Sequence, residues 1–398
     1  MKKIKIVWLS PYPVETLTPF GLKLTRLSSG HACSWIMNWA SALAALPLVD
    51  LHIISCCSRI KKNQTIQYKG YTVHIIRDAV PFTDKGWPGL SNLDARTRFY
   101  LQKRKLISEI KKINPDVVHG HGTEDVYGLT AVQSGFPSVV SIQGVIADYL
   151  RTNPSRRFKY TVKTEAITVQ KGHHFMCRTH FDKGFVQSLN PNAKIFHTPE
   201  PMNPCYFEIN RSDAEAFRIL HVGGFDPRKR MEDLLLALAQ VKLRFPNIKV
   251  DVVGSGSDER KAYLLSQAKT LGLTNHLTFH GFLPAIEIAK LHAKATLFVI
   301  TPQNENSPNT LAEALCAGTP SVAYNVGGIS SMFVDGESGF LVPAGDTKIL
   351  TAKIEELLSS PELQKRFSEK SQKDGYVNRP EQVALQSEQA YREILKHN

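Results

Sequence analysis

Two glutamates, Glu305 and Glu313, stand on either side of a predicted helix start. Ser307 is a favoured N-cap residue and Pro308 a favoured first helical residue, which predicts a helix over residues 308–317. Glu313 then lies about five residues into the helix, roughly 8 Å along its axis. Two carboxylates with this spacing can accept hydrogen bonds from two hydroxyl-bearing rings on either side of a pyrophosphate. The simpler alternative is a capped helix with a solvent-exposed glutamate.

The start of this helix also suits an anion. It follows an apolar run at residues 296–300 that predicts a buried strand, and Gly318 suits the position just beyond the helix. The helix should therefore begin at the carboxyl edge of a parallel sheet, where ligands bind in open α/β folds. Free N–H groups and the helix dipole favour a phosphate there, so Ser307, Asn309 and Thr310 are candidate binding residues.

Strands and helices that could position these residues alternate along the whole chain. Predicted strands cover residues 4–10, 49–56, 116–119, 138–142, 218–222, 249–253, 277–279, 296–300 and 321–324. Predicted helices cover residues 33–46, 94–113, 231–245, 258–271, 308–317, 347–359, 361–370 and 382–396. Apolar runs without alternation, separated by helical patterns, are typical of a parallel sheet covered on both faces. The sequence therefore predicts an α/β fold.

The chain is too long for one ordinary core. It has 398 residues, of which 42% are hydrophobic, so two cores of typical size can form. The segment 199–204 contains three prolines, which can continue neither a helix nor a central strand, and the α/β pattern restarts after it. We predict two doubly wound, Rossmann-like domains that face each other across a cleft, with a boundary between residues 204 and 205.

The net charge of +13 belongs to the first half of the chain. Residues 1–200 carry 27 basic and 13 acidic side chains, whereas residues 201–398 carry 22 and 23. A basic half indicates an anionic partner such as acidic lipid headgroups, a phosphorylated acceptor or nucleic acid.

The predicted helix 94–113 interleaves cations with aromatic residues. Such a helix suits the surface of an anionic bilayer, and the nearby residues Phe82, Trp87 and Leu90 favour that partner. Single-stranded nucleic acid and an ordinary solvated helix face are the alternatives. We therefore expect peripheral binding to an anionic membrane surface through the first half.

Several classes of protein and site are disfavoured by the sequence. No apolar run approaches the ~18–20 residues of a membrane helix, and the apolar stretch at the N-terminus is too short for a secretory signal. None of the six cysteines forms C-x-x-C, and no histidine pair has the spacing of a metal-binding motif. We expect free thiols, no metal site, no cofactor and a cytoplasmic location, with membrane contact at the inner face of the plasma membrane.

An ordered series of motifs surrounds the two glutamates. Downstream of the Glu305-x7-Glu313 pair come residues 314–323, Gly327-Gly328 and 335–342, and upstream come residues 221–229, 253–256 and 279–284. In this order they resemble the retaining glycosyltransferases of family 4, and the likeness covers residues 218–345. The resemblance implies the GT-B fold, with an acceptor domain at 1–204, a donor domain at 205–375 and a C-terminal helix at 376–398 that returns to the first domain.

The resemblance implies roles for residues of the second half. Glu313 would bind the ribose hydroxyls of a nucleotide-sugar donor, and Glu305 would bind its sugar. Arg228 and Lys229 would neutralise the diphosphate, because negative charge builds on the terminal phosphate as the sugar leaves and fixed cations stabilise it without a metal. A solvated basic turn is the alternative for this pair. Further implied donor-binding residues are Gly224, Gly254, Gly256, Phe282, Leu283, Ser307, Asn309 and Thr310.

The first half is similar to the family more loosely. Gly30, in the turn at residues 28–31, matches a glycine that approaches the donor phosphate. His121 ends a D-V-V-H-x-H element and would reach the donor sugar or the reacting centre, whereas an imidazole that hydrogen-bonds backbone is the alternative. Gln143 and Gly144 stand where relatives carry histidine and glycine, and they are expected to shape the acceptor site.

Three positions depart from the family pattern. Gly224 stands where many members have an arginine, and Arg228 is expected to compensate. Pro308 interrupts the family's glycine-rich loop and removes one amide contact, and Ser331 replaces an acidic residue. These departures weaken any inference about the identity of the sugar.

The predicted activity is transfer of a hexosyl unit from a UDP- or GDP-sugar to a hydroxyl of a glycan or lipid-linked acceptor. Retention at the anomeric carbon, independence of metal ions and a role in polysaccharide biosynthesis follow from the resemblance. A nucleotide-sugar epimerase of the same two-domain architecture is the alternative enzyme, and a basic nucleic-acid-binding protein is the alternative without catalysis. A dinucleotide-dependent oxidoreductase lacks support, because no G-x-G-x-x-G follows the first predicted strand.

Overall fold

The structure, a computed structural model, describes residues 3–25, 34–78, 92–152 and 154–396. Two compact units divide the chain, one comprising Met1–Pro201 with Pro380–Asn398 and the other comprising Met202–Arg379. The chain passes from the first unit to the second within the proline-rich segment 199–204. Within the described residues no helix has both the length and the apolar character needed to span a bilayer.

Each unit is built from one sheet with helices on both faces. The strands are β1 (Ile4–Leu9), β2 (Val49–Cys57), β3 (Gln64–Tyr68), β4 (Tyr71–Arg77), β5 (Val117–His121), β6 (Ser138–Ser141), β7 (His174–Cys177), β8 (Lys194–His197), β9 (Arg218–Val222), β10 (Lys249–Val253), β11 (Leu277–Gly281), β12 (Leu297–Ile300), β13 (Ser321–Tyr324) and β14 (Gly339–Val342). The helices are α1 (Ser34–Ala44), α2 (Leu93–Arg96), α3 (Tyr100–Ile113), α4 (Val126–Val132), α5 (Ile146–Thr152), α6 (Arg156–Lys171), α7 (His180–Leu189), α8 (Met231–Arg244), α9 (Asp258–Thr270), α10 (Ala285–Lys294), α11 (Asn309–Cys316), α12 (Thr347–Ser359), α13 (Pro361–Gly375) and α14 (Pro380–Lys396).

The sheet of the first unit has the strand order β3-β4-β2-β1-β5-β6-β7-β8. All neighbouring strands are parallel except the hairpin β3–β4. Successive residues of β1 enter two different cores, Ile6 and Trp8 on one face and Val7 and Leu9 on the other, which explains its unbroken apolar sequence. The winding reverses between β1 and β5, so the carboxyl ends of these strands form the topological switch point of this sheet.

The sheet of the second unit has the strand order β11-β10-β9-β12-β13-β14, and all of its strand pairs are parallel. Its winding reverses between β9 and β12, so the switch point lies at the carboxyl ends of those two strands. Both predicted domains are therefore Rossmann-like, and the predicted α/β class with doubly wound sheets is confirmed.

One predicted helix is wrong in part. Residues 94–113 do not form a single helix, because α2 ends at Arg96 and α3 begins at Tyr100. Between them Arg98 and Phe99 have φ angles of 51° and 56°, which no helix contains. The break turns the Phe99 ring into the core of the first unit, and the free energy of burying an aromatic side chain outweighs two more helical residues.

Candidate functional site

Arg228 and Lys229 lie on a short 3₁₀ turn, Pro227–Lys229, between the carboxyl end of β9 and the start of α8. The turn is capped by Asp226, whose side chain accepts a hydrogen bond from the Arg228 amide at 2.9 Å. Pro227 occupies its first position, where a missing N–H costs nothing. The two cations are therefore held at one side of the second unit's switch point.

The loop after β12 is joined to this turn by hydrogen bonds. The Thr301 hydroxyl donates to the carbonyl oxygens of Lys229 and Arg230 at 3.2 and 3.0 Å. The Gln303 amide donates to the Arg228 carbonyl oxygen at 2.7 Å. These contacts fix the loops after β9 and β12 against each other, so the side chains on both loops have defined relative positions.

Glu305 meets both cations. Arg228 Nη1 donates to Glu305 Oε1 at 3.0 Å and to the Asn304 carbonyl oxygen at 2.9 Å. The Lys229 ammonium pairs with the same Glu305 oxygen. The Glu305 side chain is only 10% exposed, so this is a partly buried, charge-assisted cluster. The structure thus brings together the three residues of the second half that the sequence predicts to be catalytic.

Glycines set the backbone of this cluster. The Gly328 amide donates to the Glu305 carbonyl oxygen at 3.0 Å. Gly327 has a φ of 53°, and a Cβ atom on it would lie 1.9 Å from the same oxygen. A side chain at residue 327 would therefore push Glu305 away from the two cations.

Three predicted donor-binding glycines differ in what the fold requires of them. A Cβ atom on Gly254, where φ is 143°, would lie 1.8 Å from the Gly223 carbonyl oxygen. One on Gly256 would lie 2.8 Å from the Phe225 Cβ atom. At Gly224 the nearest atom would be the Ser255 carbonyl oxygen at 3.6 Å, so a side chain fits there. The close packing of the loops after β9 and β10 therefore explains why residues 254 and 256 are glycines, but it does not explain Gly224.

Phe282 and Leu283 follow β11 at the same edge of the sheet. The Phe282 side chain is 72% exposed, whereas Leu283 is half-buried against the core beneath α11. An exposed aromatic ring at this edge of the sheet offers a face on which a planar ring can stack. Their assignment to the nucleoside site stays a prediction.

Helix α11 begins one residue later than predicted. Its N-cap is Pro308, with an extended ψ of 120°, and Ser307 makes no cap; its hydroxyl lies 3.9 Å from the Met332 sulfur. The reason is that the Pro308 carbonyl oxygen already accepts the amides of Leu311 and Ala312 at 3.0 and 3.2 Å. Asn309 and Thr310 form the first turn, whose amides have no intrahelical acceptor, and Thr310 lines a crevice with Lys229 and Glu305.

Gly318 ends this helix as predicted. Its φ is 68°, and the Thr319 amide donates to the Ala314 carbonyl oxygen at 2.8 Å, which satisfies a helix-end carbonyl group. A Cβ atom on Gly318 would lie 2.7 Å from the Gln372 side chain, so α13 also requires a glycine here.

Glu313 lies apart from the ion-pair cluster. It is half-buried and neighbours the side chains of Tyr206 and Cys205. Burial raises the pKa of Glu313 to about 7, against a smaller lowering by Tyr206. A buried carboxylate without a cation needs hydrogen-bond donors to stay ionised, which a pair of ribose hydroxyls would supply.

His221 was not predicted as a site residue, although it lines a crevice with Lys229, Glu305 and Thr310. Its side chain is 2% exposed, and Nδ1 donates to the Val299 carbonyl oxygen at 2.9 Å. Nε2 is buried and has no hydrogen-bond partner among the described residues. Burial lowers the pKa of His221 to about 4, so the ring is neutral and Nε2 is an acceptor. The available sequence signal is a polar residue inside an apolar strand.

The switch point of the first unit carries two stacked histidines, whose ring centroids are 3.9 Å apart. His119 hydrogen-bonds to the Tyr391 hydroxyl of α14 and to the Ser141 hydroxyl, both at 2.7 Å, which is a structural role. Both nitrogens of His121 are buried and without a partner within the described ranges, and its ring lies 4.7 Å from that of Trp8. Burial, with smaller effects of His119 and Arg178, holds the pKa of His121 well below its usual range.

The predicted acceptor residues belong to a second polar cluster in the first unit. Gln143, just after β6, accepts a hydrogen bond from Arg178, which also pairs with the buried Glu200. Arg178 follows β7 and was not predicted; a cation directly after an apolar strand is the signal for it. A Cβ atom on Gly144 would lie 2.6 Å from the Tyr149 ring, so packing accounts for this glycine. Gly30 lies outside the described residues.

Comparisons with known proteins show which family the chain resembles. The family described as glycosyl transferases group 1 matches residues 204–374, and the family described as glycosyl transferase 4-like matches residues 23–171. N-acetyl-alpha-D-glucosaminyl L-malate synthase of Bacillus anthracis is 22% identical over 82% of this chain and 91% of its own length.

Solved structures have a similar fold. A sucrose-phosphate synthase from Thermosynechococcus elongatus has a TM-score of 0.77 and 17% identity over 100% of both chains. Anabaena Alr3699/HepE in complex with UDP-glucose has a TM-score of 0.68 and 16% identity over 99% of this chain and 100% of its own. The fold agrees with the two family matches, and the ion-pair cluster of Arg228, Lys229 and Glu305 lies at the switch point of the second unit. We conclude that this chain is a glycosyltransferase that belongs to group 1, the family-4 type.

Proposed function

We propose that this enzyme transfers a hexosyl unit from a nucleoside diphosphate sugar to a hydroxyl group, with retention at the anomeric carbon. The observation that carries the proposal is the ion-pair cluster of Arg228, Lys229 and Glu305 at the switch point of the second unit. Two fixed cations beside the start of α11 provide a site for a diphosphate, and one acidic side chain next to them provides a site for sugar hydroxyls.

Donor binding requires an exchange of partners within this cluster. Both cations are paired with the Glu305 carboxylate in the described structure. An incoming diphosphate, with more negative charge, takes Arg228 and Lys229 and leaves the carboxylate to accept hydrogen bonds from the donor sugar. Glu305 is therefore affected by the diphosphate of the donor, which takes its cations, and by the sugar, which binds its carboxylate.

The nucleoside is expected to lie between the Phe282 ring and Glu313. Phe282 is exposed and offers a stacking face for the base, and the Glu313 carboxylate can accept hydrogen bonds from both ribose hydroxyls. The first amides of α11, at Asn309 and Thr310, would hydrogen-bond to the phosphate oxygens. The diphosphate would then lie between the ribose at Glu313 and the sugar at Glu305.

The chemical step is proposed to run on one face of the sugar. The bond from the anomeric carbon to the terminal phosphate oxygen breaks, and the acceptor oxygen bonds to that carbon from the same side. The acceptor proton passes to an oxygen of the leaving phosphate. Arg228 and Lys229 stabilise the charge that develops there, so the reaction needs no metal ion and EDTA should leave the rate unchanged.

His121 is proposed to bind a hydroxyl of the donor sugar. Its ring is neutral because it is buried, so one nitrogen can donate and the other can accept a hydrogen bond. The absence of partners for both nitrogens within the described part of the chain supports a ligand contact.

The nature of the substrates is proposed from the relatives. One similar structure contains UDP-glucose, which favours a UDP-sugar here, with a GDP-sugar as the other donor to test. The acceptor is proposed to be a glycan or a lipid-linked sugar of polysaccharide assembly.

A panel of nucleotides tests the donor site. We expect UDP or GDP, and more strongly the matching sugar nucleotide, to raise the melting temperature, because ligands of the native state stabilise it. The variant Arg228→Gln should lose this shift, whereas Arg392→Gln, which breaks a comparably exposed pair with Glu388 on α14, should keep it. Equal shifts for both variants would contradict the site. The anomeric configuration of the product, read by NMR, tests retention.

Membrane contact is proposed for the corner between α2 and α3. The break at Arg98 and Phe99 leaves Tyr100 and Leu101 more than half exposed, next to the exposed cations Arg96 and Arg104. Apolar side chains among cations suit an anionic bilayer surface.

Flotation with vesicles tests this surface. We expect binding to phosphatidylglycerol vesicles at low salt and none to phosphatidylcholine. Leu101→Glu should abolish it, whereas Leu243→Glu, at a still more exposed leucine of α8, should not. No flotation of the wild type with anionic vesicles would refute the proposal.

A further inference from the structure

The first unit contains a crevice of about 410 Å³ that no step described above uses. It lies at the carboxyl ends of β2 and β4 and beside the starts of α3, α4 and α6. Its volume is within the range of small-molecule sites. The polar side chains that line this first-unit crevice include Ser58, Asp78, Asp94, Gln102, Asp125 and Arg157.

The charges that line the crevice do not balance. Arg157 donates to Asp94 Oδ2 at 3.0 Å and to Asp125 Oδ1 at 2.9 Å, so one guanidinium serves two carboxylates. Asp78 also lines the crevice and accepts a hydrogen bond from Gln102 Nε2 at 2.9 Å. The crevice is acidic although the half of the chain that contains it is strongly basic.

Two buried oxygens in the crevice have no hydrogen-bond partner among the described residues. Asp94 is 4% exposed and its Oδ1 is unsatisfied, and Gln102 is 6% exposed and its Oε1 is unsatisfied. Both atoms can only accept hydrogen bonds. A buried acceptor without a donor costs free energy, so a donor from outside the described chain is expected at both.

We propose that the first-unit crevice binds the sugar of the acceptor through its hydroxyl groups and prefers a protonated amine to a carboxylate. The unsatisfied oxygens of Asp94 and Gln102 accept from the ligand, and the excess of carboxylates attracts an ammonium group and repels an anion. This inference rests on the proposed function, because it names the acceptor class of that reaction.

Binding of three monosaccharides to the full-length protein tests the preference. Glucosamine, glucose and glucuronate are titrated at pH 6, where glucosamine carries an ammonium group, and dissociation constants are read by saturation-transfer NMR. We expect affinity to fall in that order. Glucuronate binding as tightly as glucosamine, or none of the three binding at millimolar concentration, would overturn the proposal.

Two variants locate the site. Asp94→Asn keeps the shape of the side chain. It should weaken the binding of glucosamine about tenfold and that of glucose less, as expected for the loss of a charge-assisted hydrogen bond. Asp125→Asn should also weaken glucosamine binding. The Asp125 side chain is 48% exposed, so this substitution is expected to leave the fold intact. Glu356→Gln is the control, since Glu356 is 47% exposed and pairs with Lys353 at 2.8 Å. Equal effects of Asp125→Asn and Glu356→Gln would overturn the assignment.

Donor binding separates failure of this inference from failure of the proposed function. Asp94→Asn and Asp125→Asn should keep the thermal shift with the nucleotide sugar, because the residues proposed to bind the nucleoside and the diphosphate lie in the second unit. A protein that binds the donor but none of the three sugars refutes the crevice alone. A protein that binds no nucleotide refutes the proposed function.

Discussion

Replacement of Glu305 by glutamine should separate nucleotide binding from sugar binding. The Glu305 carboxylate competes with a diphosphate for Arg228 and Lys229, because it pairs with both of them in the structure. Glutamine keeps the size of the side chain and removes this competition. Glu305→Gln should therefore bind a free nucleoside diphosphate more tightly than the wild type, although it loses a predicted catalytic residue.

The magnitude follows from the burial of the three side chains. The cations are about a quarter exposed and Glu305 is 10% exposed, so each pair is somewhat stronger than the ~0.2–1 kcal/mol of surface pairs. Two pairs together contribute about 1–2 kcal/mol, which corresponds to roughly 5–30-fold tighter nucleotide binding. The sugar nucleotide gains the same amount but loses a charged hydrogen bond of about 1.5–3 kcal/mol. Its advantage over the free nucleotide should therefore shrink by about 10–100-fold.

Isothermal titration calorimetry of wild type and variant with the diphosphate and its sugar measures both effects. The control is Glu388→Gln, which removes a carboxylate paired with Arg392 on α14. Tighter binding should diminish at high salt, because the competition is electrostatic. A variant that binds the free diphosphate no more tightly than the wild type would refute the exchange of partners.

Four further perturbations have expected outcomes. Lys229→Met should lower kcat by about 10²–10³ and change the donor Kd much less, because the cation acts on charge that develops in the transition state; equal losses in both would contradict this. Donor affinity should fall as pH drops below about 7, since ribose binding lowers the pKa of Glu313 and needs its ionised form, and Glu313→Gln should flatten the profile. Gly327→Ala should reduce kcat strongly, whereas Gly336→Ala, with φ 78° and no nearby atoms, should cost only about 1 kcal/mol of unfolding free energy. His221→Asn can keep the bond to the Val299 carbonyl oxygen, so denaturant unfolding should find it about 1 kcal/mol more stable than His221→Phe.

The central strands and the donor cluster could be predicted from local sequence. The strands at both switch points are short apolar runs whose side chains enter cores on both faces, and such runs lack the alternation of half-buried strands. Arg228, Lys229 and Glu305 lie in the loops that follow two such strands, β9 and β12. Parallel strands have their carboxyl ends at one edge of the sheet. The side chains that follow neighbouring strands are therefore predicted to lie close together from the strand arrangement alone.

Features that depend on distant contacts were not predictable. The helix break at Phe99 follows from burial of its ring and from Arg157, whose guanidinium lies 5.7 Å from it but 58 positions along the chain. Pro308 caps α11 because of its backbone conformation, which the preference of Ser307 for N-caps does not reveal. The hairpin β3–β4 and the helices α4 to α7 lie outside the predicted elements, because their hydrophobic patterns are mixed and all of them except α6 have ten residues or fewer.

The two polar sites have opposite excesses of charge, and this difference can sort the substrates. Among the described residues, the donor cluster has two cations paired with one carboxylate, whereas in the first-unit crevice the carboxylates of Asp94 and Asp125 share the guanidinium of Arg157. A nucleoside diphosphate is therefore attracted to the second unit and repelled by the crevice, and an amine-bearing acceptor has the reverse preference. Because discrimination depends on the difference between two affinities, repulsion at the wrong site contributes as much as attraction at the right one. The corner between α2 and α3 then need not recognise the acceptor sugar, which is consistent with its proposed contact with an anionic membrane.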